Sequence, residues 1–116
     1  MKVSIVALLQ ESNLTNFIDT LNRLREQTIG FENIELIILD QAVEKTSQEV
    51  IELSKLSQEA NIHVQKESEV NFASLKGKYI SFFDFNYSIS PHLYSELYNT
   101  AEKKDWILYQ LMQIQR

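Results

Sequence analysis

At 116 residues, with 44% hydrophobic and 23% charged side chains, the chain has the size and balance of one globular domain and little room for a second core. A formal net charge of −5 argues against a general nucleic-acid binder, which needs a basic face to neutralise phosphates. Cysteine is absent, so disulfides and thiolate metal sites are excluded, and no apolar stretch reaches membrane-spanning length.

Lys2 ahead of the apolar run Val3 to Leu9 imitates a secretory leader. The run is short, lacks a small-residue cleavage site and ends in Gln10-Glu11, so it reads as a strand buried on both faces and the chain as cytoplasmic. Leu14, Phe17, Ile18, Leu21 and Leu24 then recur at helical spacing, with Ser12 or Asn13 as N-cap and Gly30 just past the end. Ile34 to Leu39 predicts a second strand. A helix follows with the capping-box pattern Thr46 to Glu49 and an apolar face of Val50, Leu53, Leu56 and Ala60. Ile62 to Val64 reads as a third strand and Lys78 to Phe83 as a fourth. Ser90 as N-cap and Pro91 as first helical residue open a helix carrying Leu93, Tyr94, Leu97, Tyr98 and Ala101 on one side. Trp106 to Tyr109 makes a final strand, whose open edge would favour pairing with a second copy.

Strands alternating with helices predict a parallel sheet covered on both faces, a three-layer α/β sandwich. In such sheets ligands bind beyond the carboxyl ends of the strands, which directs attention to the residues after Leu9, Leu39 and Phe83. Two glycines, Gly30 and Gly77, stand too far apart for a P-loop or a dinucleotide loop. His63 and His92 lack metal-ligand spacing; the first reads as strand surface and the second as a residue of a helix's first turn. Asp40 and Asp84 remain, each at a strand end. On neighbouring strands they would face one crevice, where a carboxylate can accept from a ribose hydroxyl or base N–H, or help to hold a divalent cation. The alternative is that each simply caps a turn, which Asp does well.

Motifs over nearly the whole chain resemble the nucleotide-binding half of GT-A type glycosyltransferases, specifically the inverting family 2. "KVSIVALL" is similar to the opening strand, "LNRLREQT" to an L-x-S-L-x-x-Q-T helix end, "NIELIILD" to I-E-I-I-V-V-D-D, and "KGKYISFFDFN" to G-x-Y-I-x-F-L-D-x-D. "ISPHLYSELYNTAEKKD" looks like the helix that follows. The resemblance implies a single Rossmann-like GT-A nucleotide-binding domain over 1–116, belonging to a longer polypeptide. It implies Asp40 at the nucleotide base, Asp84 and Asn86 at the ends of a D-x-D equivalent, and Mg²⁺ or Mn²⁺ on the diphosphate of a nucleotide sugar. Asp84 would serve both nucleotide and metal.

The departures are specific. Leu8-Leu-Gln-Glu11 replaces a proline and an aromatic–asparagine pair, and Gln41, Ala42 and Val43 replace the rest of the D-D-G-S turn. The stretch Lys66 to Lys76 is short and lacks the family's R-N-x-G helix, and D-x-D ends in Asn86, whose amide ligates a cation without offsetting its charge. The half that carries the catalytic base lies outside this sequence, so no catalytic residue is assigned and the isolated chain is expected to be inactive. Two functions follow: the donor-binding half of a glycosyl-transfer enzyme, or a degenerate GT-A domain that binds or scaffolds within a larger protein. A third, a signalling-type doubly wound domain, is disfavoured because Gln10-Glu11 is a poor acidic pair and no strand-end lysine is evident.

Overall fold

A computed structural model describes residues 1–10, 16–84 and 89–103. Four strands, β1 (Val3–Leu9), β2 (Ile34–Asp40), β3 (Ile62–Gln65) and β4 (Tyr79–Asp84), form one sheet in the order β3-β2-β1-β4. Every pairing is parallel, with Val3 opposite both Ile34 and Tyr79, and Leu36 opposite Ile62. The α/β architecture expected from the alternation is therefore present. Trp106 to Tyr109, with Ser12, Asn13 and Leu14 of the first helix, lies outside the described residues.

The order explains how the two faces are covered. The chain steps outward from β1 to β2 to β3, then returns across the sheet to β4 on the far side of β1. Parallel crossovers are right-handed, so reversing the direction of the step moves the connection to the opposite face. Helices α1 (Phe17–Arg25), α2 (Ser47–Leu56) and α3 (Leu93–Lys103) accordingly bury Phe17, Leu21, Leu24, Leu53, Leu56, Tyr94 and Ala101 in one cluster with Ile5, Leu9, Leu36 and Ile38. The other face carries a smaller cluster of Val6, Ile37 and Leu39. It is covered by Val70 and Leu75 of the β3–β4 connection, whose regular structure is two 3₁₀ turns, Glu67–Glu69 and Phe72–Ser74.

Local signals set the element ends. Gly30 adopts φ 91°, open to glycine at little cost, and turns the chain into β2. The capping box of α2 is complete: Glu49 N–H donates to Thr46 Oγ1 and Thr46 N–H to Glu49 Oε1. Ser90 accepts from the His92 N–H, but α3 begins at Leu93, after Pro91. Asp84 is the last residue of β4 and not the first beyond it. On the helix faces, Ile18 and Val50 are exposed, because α1 and α2 each meet the sheet along a narrower stripe than their apolar patterns suggest. Helix α2 ends at Leu56, so Ala60, also exposed, lies in the turn beyond it and not on the helix.

Candidate functional site

The strand order reverses at β1, so the carboxyl ends of β1, β2 and β4 meet where an open α/β sheet leaves a crevice. Leu9 is in register with Asp40 and Leu8 with Asp84. The two aspartates are thus not on neighbouring strands, as the expectation had them: β1 lies between, and two strand spacings separate their backbones by roughly 10 Å. On the sheet face away from the helices, these strand ends floor a cleft of about 340 Å³. Its floor is Val6, Leu8, Leu39 and Phe82, and Phe83, whose side chain packs on the helix side, borders it; its roof is Glu67, Val70 and Phe72 of the β3–β4 connection, and Gln41 stands at the β2 end. Phe72 and Phe82 lie with ring centroids 6.1 Å apart at 48°, two aromatic surfaces onto which a planar group could pack. Gln41 Nε2 donates to Glu67 Oε2 at 2.9 Å and links strand end to roof.

Asp40 is engaged elsewhere. Its Oδ1 accepts from the Ala42 N–H at 3.2 Å, and its Oδ2 lies 3.0 Å from Lys45 Nζ, which also donates to the Ala42 carbonyl. That is an Asx turn reinforced by an ion pair, and it fixes the loop leaving β2. For Asp84 the backbone alone is described, at the end of β4, and Asn86 lies outside the described residues. Among the described residues no group of three or more His, Asp or Glu could hold a metal ion. A divalent cation here would depend on Asp84 and Asn86 together with oxygen ligands from the diphosphate.

Three buried polar side chains escaped the sequence reading. Glu35, in the middle of β2 and 4% exposed, accepts at Oε1 from Ser4 Oγ and from the Lys76 N–H, both at 2.8 Å. Ser4 Oγ in turn accepts from the Gly77 N–H. His63, read as plain strand surface, places Nε2 3.7 Å from Glu35 Oε2 at a second cleft, of about 310 Å³. Gln27, 3% exposed, takes the Tyr94 N–H on Oε1 and donates from Nε2 to the Ser90 and Arg23 carbonyls. The single signal available was its place in "REQT"; nothing in the alternation of β2 distinguishes Glu35 from a solvent-facing residue.

No protein-family profile and no curated protein matches the chain. Solved structures do. The chain is similar to S. aureus TarS at a TM-score of 0.67 and 18% identity, over 89% of this chain and 20% of that one. The structure of TarS 1–349 in complex with UDP-GlcNAc gives 0.69 and 16% over 89% and 32%; that with UDP gives 0.65 and 18% over 89% and 32%. This chain thus spans a fifth to a third of the length of those proteins. The likeness places the fold with that of TarS, a GT-A-like glycosyltransferase, so the resemblance seen in the motifs holds at the level of the fold.

Proposed function

We propose that this domain binds a nucleoside diphosphate sugar at the carboxyl ends of β1, β2 and β4 and forms the donor-binding half of a family 2-like glycosyltransferase. One observation carries the reading: the aromatic-walled cleft lies where the strand order reverses, in a fold shared with a protein whose structures hold UDP-GlcNAc and UDP. Asp40 and Asp84 would meet the nucleoside. Asp84 and Asn86 would share Mg²⁺ or Mn²⁺ with the diphosphate. The cation would screen the phosphates, while this chain's own residues orient the nucleoside; sugar transfer needs a base from the remainder of a longer polypeptide or a partner. The cytoplasm suits a chain without cysteine.

The commitment of Asp40 to Ala42 and Lys45 favours a second reading, a donor domain that has lost its ligand and serves as a binding or scaffolding module. Titrating UDP-GlcNAc and UDP with Mn²⁺ against amide chemical shifts separates the two. Shifts at Leu8, Gln41, Phe82 and Asp84 are expected; a flat response at millimolar ligand would sink the donor-binding reading. Asn86→Asp restores a second carboxylate, and Mn²⁺-dependent UDP binding should then tighten on the order of tenfold.

A further inference from the structure

The cleft under the β3–β4 connection is apolar over most of its lining, and among the described residues the one charged side chain that lines it is an acid, Glu67. No lysine or arginine is among the described residues that line it. Of the nearest cations in sequence, Lys45 is held by Asp40 at 3.0 Å, and Lys66 precedes Glu67 without lining the cleft. Gln41 Nε2 holds the Glu67 carboxylate at the rim, and its hydrogen bond leaves the negative charge in place. An anion entering this cleft would meet a like charge beside low-dielectric walls, whereas an uncharged ring would meet Phe72 and Phe82.

We propose that Glu67 is a specificity-determining residue: its carboxylate, fixed at the rim by Gln41, admits the uncharged planar part of a ligand and turns away anionic groups that carry no cation. The inference rests on the donor-binding reading for the identity of that ligand. Applied to a nucleotide, it assigns the nucleoside to the cleft and makes phosphate binding depend on a divalent metal.

The test compares the full chain with Glu67→Gln, a substitution at an exposed site that keeps the shape and the link to Gln41. Uridine and UDP are titrated without metal, then UDP with Mn²⁺, following the amides of Leu8, Gln41 and Phe82. The wild-type protein should bind uridine more tightly than metal-free UDP. Glu67→Gln should raise metal-free UDP affinity about threefold to fivefold, the effect of one like charge at a solvated rim, and change uridine less than about twofold. A wild-type preference for metal-free UDP, or an equal change for both ligands, overturns the proposal. If neither uridine nor UDP binds in any condition, the nucleotide reading fails by itself, and indole against indole-3-acetate decides Glu67. A preference for indole that Glu67→Gln removes sustains the charge filter; equal binding of the two probes ends it.

Discussion

Tyr94 shows how much one side chain can carry in a small domain. It is among the largest fully buried residues, and its hydroxyl lies 3.1 Å from Ser81 Oγ, itself buried in β4. Burial pushes the phenol up to about 12, against the ordinary 10.0, and the Ser81 hydrogen bond offsets part of that rise. The folded chain therefore keeps this proton at a pH where the unfolded chain has released it. The contribution is whole below pH 10 and declines as pH climbs from 10 to about 12, by on the order of 2–3 kcal/mol. Urea midpoints measured from pH 9 upward should fall more steeply for the wild type than for Tyr94→Phe, which has no proton to lose. Glu35 makes the complementary point about legibility. Nothing local in "NIELIILD" marks it as a buried acceptor, yet Ser4 and Lys76, far away in sequence, donate to it, and Gly77 donates to Ser4 in turn. A Cβ on Gly77 would run into the backbone of Val3 and Ser4, so that glycine is required by close approach and not by a turn.

Among the elements, α3 depends on a residue of another segment. Its first turn follows Pro91, and the Tyr94 N–H finds its acceptor on the Gln27 side chain, while Thr28 N–H donates to the Pro91 carbonyl. Gln27→Leu keeps the volume and removes both hydrogen-bonding ends, leaving the Ser90 carbonyl and Tyr94 N–H without this partner. We expect a loss of about 2–3 kcal/mol in denaturant unfolding and faster amide exchange at Tyr94, with Thr46 capping of α2 untouched. Unchanged exchange at Tyr94 would show that the helix start is set elsewhere. The contrast with α2 explains what was readable. Thr46 and Glu49 are three residues apart and satisfy each other, so the pattern is visible locally. Two of the partners of Gln27, Ser90 and Tyr94, lie more than sixty residues on. Helix faces were less legible: Ile18 and Val50 continue their apolar stripes but stand clear of the sheet, since each helix touches it along a line narrower than the stripe.

Across the whole molecule, the two faces of the sheet differ in depth. Leu24 lies fully buried in the large helix-side cluster, whereas Leu75 is half-buried over the smaller one. Leu24→Ala should cost about 3–4 kcal/mol and Leu75→Ala about 1 kcal/mol, read from denaturant midpoints at constant m-value. Equal losses would mean that the β3–β4 connection is as integral to folding as the helices. The site belongs to this scale too, because the reversal of strand order places the cleft and the return crossover supplies its roof. By itself the sequence determined the four strands and three helices found among the described residues, their alternation, the α2 cap and the strand-end position of Asp40, because periodicity and capping act over a few residues. Tertiary structure alone decided that β1 separates Asp40 from Asp84, that Lys45 occupies Asp40, and that Gln41, Glu67, Phe72 and Phe82 wall the cleft. Those facts follow from which strands become neighbours and which face a crossover takes, and no local pattern of side chains encodes either.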